Sequence, residues 1–271
     1  MEDKSDPAGL SRTLETVTRT LEIISLLESD NGARVTEIAD KLCVSKSSVY
    51  NHLTTLRQND YVSKSGDQYN LSYRFLTLGE FVRNQDRLYQ HGRAEVEQLA
   101  ETTGEYAHLT VEQNGLGVNL YKVRGEDAVG ANFQTARLQK PDFLHYSATG
   151  KSILAHLSED RVRSIVDTHG LPKRTEQTIT DINQLLAELD EVRDQGFAHN
   201  EEEEVRGIRA VGVPILDQRE EVLGAMSVSG SKSRLRGDRF RKDLPDLLTR
   251  AANVIEVDIN TATRSNNFPS F

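Results

Sequence analysis

Two apolar-periodic segments a few residues apart, a short hairpin straight after them, and a later switch to mixed strands and helices predict a two-domain chain. The predicted fold class is an N-terminal winged helix-turn-helix followed by a larger α+β domain, the two joined by a helical linker. A length of 271 residues agrees with two domains. The expected boundaries are a disordered tail over 1–14, the winged unit over 15–80, the linker helix over 81–92, the α+β domain over 93–260 and a flexible tail over 261–271.

The first helix starts near Glu15, with Val17, Leu21, Ile24 and Leu27 at a helical period. "DNGARV" (Asp30–Val35) breaks it with a turn. Thr36 is the expected cap of a short second helix that puts Ile38, Ala39 and Leu42 on one face, with Cys43 in the core beside them. Ser45 is a good N-cap for a third helix ending near Gln58, with Val49, Leu53 and Leu56 as its apolar side. Tyr61–Val62 and Gln68–Leu71 are short strands around the turn "KSGD". In this arrangement the third helix offers its first turn to the DNA major groove, and the hairpin reaches the neighbouring backbone.

The candidate DNA-contact residues are therefore Ser45, Lys46, Ser47, Ser48, Tyr50, Asn51 and His52, with Arg57 and Lys64 as further cations. Hydroxyls and amides bond bases and phosphates, and Asn51 can address adenine through two bonds. The competing reading is a solvated helix face on a module that does not touch DNA.

The linker region is polar and helical, and Gly92 is the expected hinge within it. Beyond it, "AHLTVEQNGLGVNLYKVRG" reads as two strands around a glycine turn at Gly115 and Gly117. A helix begins near Thr149–Lys151, two more cover "LSEDRVRSIVDTHG" and "DINQLLAELDEVRDQGF", and Gly196 closes the second of these. "IRAVGVPILDQREEVLGAMSVSG" gives two strands joined at Asp217–Glu220, and a long helix closes the chain.

Composition narrows the function classes. No run of about 18 apolar residues is present, and the N-terminus lacks an apolar signal core, so a cytoplasmic protein with no membrane partner is expected. The single cysteine, Cys43, excludes an intrachain disulfide and a Cys-rich metal site. His108, His145 and His199 are scattered, and Glu201–Glu204 reads as a polar rim rather than a metal cluster. Ser147 and His145 lack the G-x-S-x-G setting of a nucleophile, so no catalytic residue, metal or cofactor is expected. The net charge is −9, which opposes binding to phosphates; the same balance is what adaptation to a salty cytoplasm produces. The winged unit itself has nine acidic and seven basic residues between Glu15 and Phe81, a net −2. Its recognition helix and wing nevertheless carry Lys46, Arg57 and Lys64, which allows local attraction within global repulsion.

Three segments resemble the IclR family of transcriptional regulators: "TVTRTLEIISLLE…VTEIADKLCVSKSSVYNHLTTLRQNDYV", "LHYSATGKSILAHL" and "GFAHNEEEEVRGIRAVGVPILDQREEVLGAMSVSGSKSRL". The last is the most specific, because its Glu-rich run, Gly-Ile-Arg, Val-Pro-Ile and Ser-Val-Ser-Gly occur in order at the family's separations. The resemblance runs from about Glu15 to Asn260. It implies a GAF-like effector domain with a six-stranded sheet, homodimers that often pair into dimers of dimers, a palindromic double-stranded DNA operator, and a small organic acid as effector.

Carried over position by position, the resemblance places the effector pocket at Ala148, Thr149 and Gly150, at Asn200, at Ala210, at Ser227 and Ser229, and at Ala131 and Gln134 on a facing segment. Asn200 stands where some relatives have aspartate, and Ala210 where others have cysteine. Alternation puts Ser227 and Ser229 on one strand face, although both also fit a role in satisfying nearby backbone groups. A helix N-terminus would favour a carboxylate, and the hydroxyls and amides a keto or hydroxyl oxygen, so a 2-keto or sugar-derived acid is expected. The alternatives are a sensor of aromatic acids, a protein-interaction module without DNA contacts, and a sensor domain turned enzyme.

Overall fold

The computed structural model describes residues 13–129 and 142–266. The chain divides into two compact units, Met1–Val82 and Arg83–Phe271.

In the first unit, α1 (Glu15–Ser29), α2 (Val35–Lys41) and α3 (Lys46–Gln58) pack around Ile23, Leu27, Ile38, Val49, Leu53 and Leu56. A three-stranded sheet of order β1-β3-β2 closes the core, with β1 at Ala33–Arg34, β2 at Val62–Ser65 and β3 at Gln68–Leu71. The wing hairpin turns at Gly66, whose φ of 58° suits a residue without a side chain.

Two local expectations change, at Thr36 and at Cys43. The cap of α2 is Arg34, not Thr36, because the Glu37 carboxylate reaches back to accept from the Arg34 N–H at 2.7 Å. Cys43 is exposed rather than in the core. The helix ends at Lys41, and Cys43 takes φ 53° in the turn, which swings it away from the apolar face. The α1 stripe divides: Leu27 is buried and Ile24 partly so, but Val17 and Leu21 are 51% and 58% exposed.

The linker also differs. Helix α4 (Arg74–Gln85) ends one residue before Asp86, whose side chain accepts from the Tyr89 N–H and caps α5 (Arg87–Thr103). The break therefore falls at Asp86. Gly92 is no hinge but a buried residue inside α5, where a Cβ would lie 3.0 Å from the Leu109 side chain.

The second unit is built on an antiparallel sheet of order β6-β5-β4-β9-β8-β7. Its strands are β4 (Tyr106–Gln113), β5 (Leu116–Arg124), β6 (Asp142–Phe143), β7 (Ala198–Glu201), β8 (Ile208–Leu216) and β9 (Val222–Ser231). The β4–β5 turn falls at Asn114–Gly115, both with positive φ, and Gly117 lies within β5 instead of in the turn. On one face, Ala107, Leu109, Val211, Val213, Met226 and Val228 pack against α5 and the closing helix α9 (Leu244–Asn266). That helix carries residues 261–266, which were expected in the tail. The other face is covered by α6 (Ala148–Leu154), α7 (Glu159–His169) and α8 (Ile182–Gln195), around Ile153, Val162, Leu185 and Leu189.

Alternation explains both faces. Along β4, Ala107 and Leu109 point to the first core, while Tyr106, His108 and Thr110 point the other way. Along β9, Met226 and Val228 alternate with Ser227 and Ser229 in the same sense.

Candidate functional site

The α3 surface is set by its buried side. Val49 and Leu53 are fully buried and Leu56 nearly so, which turns Ser47, Tyr50, Asn51 and Thr54 outward. Lys46, Ser47 and Asn51 are exposed, and Tyr50 is 53% exposed. Ser45 caps the helix, accepting from the Ser48 N–H at 3.1 Å, so its hydroxyl already serves the backbone. His52 turns toward α1, with Nδ1 2.8 Å from Thr20 Oγ1, and is therefore only half-exposed. Arg57 is exposed at the far end of α3, and Lys64 lies on the wing over the Tyr69 ring. Among the described residues, Lys46, Arg57 and Lys64 take part in no ion pair, whereas Arg19 and Lys41 are paired with Glu22 and Asp30. The unit's unpaired cations thus include the three on its recognition helix and wing.

In the second unit a cavity of about 70 Å³ lies between the sheet and the first turn of α6. Ala148, Thr149, Asn200, Ala210, Ser227 and Ser229 all line it. They meet because Ala210 pairs with both Asn200 and Ser229 across the sheet, while Ser227 pairs with Gly212. Gly212 in turn lets the α6 backbone approach: a Cβ there would lie 2.6 Å from the Ala148 carbonyl. Asn200 is fixed at both ends of its amide, donating to the Tyr146 carbonyl at 2.8 Å and accepting from the Glu203 N–H at 3.0 Å.

Gly150 is not on the cavity wall. A Cβ at this position would sit 2.1 Å from the Leu144 carbonyl oxygen, so this glycine lets α6 pack against the Leu144 backbone. Ala131 and Gln134 lie outside the described residues. The helix N-terminus is a weaker anion site than expected, because α6 has seven residues, and the Gly150 and Lys151 N–H groups are taken by Ser147.

The Glu-rich run is a rim only in part. Glu203 is buried and bonds Lys151 Nζ at 2.7 Å; Lys151, itself 1% exposed, also meets Glu188 at 2.6 Å. Burial holds the Glu203 carboxyl above its usual range despite Lys151. Glu201 pairs with Arg209, and Glu202 with Lys232, while Glu204 lines the cavity. No group of three His, Cys, Asp or Glu side chains suited to a metal occurs among the described residues.

The sequence reading also missed His108, Thr110, Asn119 and Lys122 on the cavity wall. His108 Nε2 lies 2.8 Å from Ser229 Oγ. Burial holds its imidazole well below the usual histidine range, and the nearby Lys122 charge adds to this. The available signal was the polar alternation of His108 and Thr110 in an otherwise apolar strand.

Comparisons with known proteins agree with the two-domain fold. The family model described as the IclR helix-turn-helix domain matches residues 16–66, and that for the bacterial transcriptional regulator IclR C-terminal region matches 82–257. The chain is 36% identical to a probable HTH-type transcriptional regulator, ArcR, of Halobacterium salinarum, over 97% of this chain and 100% of that one. It is 27% identical to the HTH-type transcriptional regulator KdgR of Escherichia coli, over 91% of this chain and 95% of that one. Among solved structures, the Thermotoga maritima IclR protein matches with a TM-score of 0.70 and 28% identity, covering 91% of this chain and 99% of that one.

Proposed function

This chain belongs to the IclR family and is a ligand-responsive, DNA-binding transcriptional regulator rather than an enzyme; from that premise we propose that its effector is a small carboxylate, a 2-keto or sugar-derived acid, held in the cavity beneath α6. The observation that carries this reading is the convergence of Thr149, Asn200, Ser227 and Ser229 on one small cavity without an aromatic ring other than His108 among its described lining residues. An aromatic acid would want an apolar slot for its ring; a keto or polyhydroxy acid wants several uncharged hydrogen-bond partners. A space of about 70 Å³ also suits a compact acid. Thermal-shift screening with keto, sugar and aromatic acids tests it. An acid at 100 times its dissociation constant stabilises the domain by roughly 2.7 kcal/mol. An aromatic acid as the tightest binder would refute the assignment.

The DNA half of the proposal is a homodimer, in the cytoplasm, on a near-palindromic double-stranded operator, with dimers pairing further into dimers of dimers. Leu14 just before α1, Val17 and Leu21 on it, and Phe81 and Val82 on α4 support the pairing, since all are more than half exposed. Affinity should fall as salt rises. Asn51→Ala is expected to cost about 1–3 kcal/mol, concentrated at one base position. An equal loss on every sequence would reduce Asn51 to a phosphate contact. A single-chain mass by light scattering at micromolar concentration would remove the dimer.

A further inference from the structure

Asn200 lines the cavity with its carboxamide held at both ends, and its two partners dictate which way round it sits. The Tyr146 carbonyl can only accept, so it takes a hydrogen from Nδ2 at 2.8 Å. The Glu203 N–H can only donate, so it meets Oδ1 at 3.0 Å. A flipped amide would set oxygen against oxygen and hydrogen against hydrogen. The amide therefore keeps one spare hydrogen and one spare lone pair in fixed places.

The Oδ1 end thus depends on where the Glu203 backbone sits, and Glu203 is held from two sides. Its Oε1 accepts from Lys151 Nζ, on α6, at 2.7 Å. Its carbonyl accepts from the Thr178 hydroxyl at 2.6 Å and from the Thr175 hydroxyl at 3.2 Å, both ahead of α8. Lys151 also reaches Glu188, on α8, at 2.6 Å. Lys151 is 1% exposed and Glu203 6%, and Glu203 Oε2 is buried without a hydrogen-bond partner. Two carboxylates share this one buried lysine, so its two neighbours are unequal. Without Lys151, Glu203 is a buried anion beside Glu188; without the Glu203 charge, Lys151 and Glu188 remain a neutral pair.

We infer that Lys151 and Glu203 are positioning residues for effector binding: Lys151 anchors Glu203, and Glu203 locks the Asn200 amide that faces the ligand. Neither side chain is among the described lining residues of the cavity, so each acts through Asn200. A locked amide meets the ligand already oriented and loses little freedom on binding, which is the advantage of preorganisation. A displaced Glu203 frees one end of the amide and removes that advantage. This rests on the cavity being the effector site, and it adds the pair that holds one wall of that site in its binding geometry.

Calorimetric titration of the full-length protein tests it, with whichever of pyruvate, 2-oxobutanoate and D-gluconate binds wild type most tightly as the probe. Lys151→Met should weaken that acid by roughly 10- to 100-fold, because it strands the buried carboxylate. Glu203→Gln should cost less than about threefold, since the backbone N–H stays and Lys151 keeps Glu188. Adding Glu203→Gln to Lys151→Met should recover most of the loss, because the stranded charge is gone. In an Asn200→Ala background, Lys151→Met should weaken the acid by less than about twofold further, since the group it acts through has been removed. An equal loss with and without Asn200 would show that Lys151 acts on the fold at large, and would overturn the positioning role while the acid-sensing reading stands. Thr178→Val loosens Glu203 from its other side; if Lys151→Met does not fold, the same cycle with Thr178→Val decides, an equal loss in both backgrounds again overturning the role. If wild type binds none of the three acids, the acid-sensing reading fails and this inference with it.

Discussion

Arg234→Ala is expected to destabilise the effector domain by about 3 kcal/mol. Glu105, at the start of the sheet, is 0% exposed, and its two oxygens each accept from Arg234 at 2.6 Å. Gly230 makes room for this carboxylate: a Cβ there would stand 2.5 Å from Glu105 Oε2. Truncating the arginine leaves a buried carboxylate short of its partner, and such losses run at about 3–5 kcal/mol. The low end is expected because the Arg239 guanidinium lies 3.8 Å from the same carboxylate and supplies part of the missing charge. Denaturant unfolding of the full chain measures the change, and Arg234→Lys should recover part of it. A loss below about 1 kcal/mol would mean that Arg239 takes over the clamp.

Gly150→Ala is expected to be comparably severe, at about 3 kcal/mol or more, with the effector response lost as well. The added methyl group would meet the backbone of Leu144, with the nearest three atoms between 2.1 and 2.6 Å. Backbone cannot rotate away as a side chain can. Helix α6 would have to lift, and with it Ala148 and Thr149 on the cavity wall. A stable Gly150→Ala protein that still responds to its acid would contradict the packing role. Ala substitution at exposed Gly79, which has open space around its Cβ direction, is the matched control.

Much of the winged unit was legible in the sequence, although the α2 cap and the turn at Cys43 were not. Ser45 as cap, β3 over Gln68–Leu71 and the buried series Val49, Leu53 and Leu56 all follow from local rules, since caps, turns and apolar periods act within a few residues. The effector domain was legible where alternation was regular, as at Ser227 and Ser229. Lys122 was not, because the bulge at Leu120 reverses strand parity and no local signal announces it. Gly92 and Gly150 were misjudged for a related reason. A glycine reads the same in sequence whether it bends the chain or admits a neighbour, and here Gly92 admits Leu109 and Ile255 while Gly150 admits the Leu144 backbone. Glu203 and Lys151 pair across 52 residues, so the burial of one Glu in a run of four could not be read from the run.

An acid held against Ser227 and Ser229 is expected to control binding of the recognition helix to DNA. Fluorescence anisotropy of the chain on its own promoter fragment, titrated with the tightest acid from the screen, tests it at one fixed salt concentration. For wild type, saturating acid should change operator affinity by roughly 5- to 150-fold, as two coupled sites do. In the Ser227→Ala/Ser229→Ala double variant, the acid midpoint should move upward by an amount equivalent to about 1–3 kcal/mol, while affinity without acid stays near wild type. An unchanged midpoint in the double variant, or no retention of the fragment by wild type at any salt, would contradict the account.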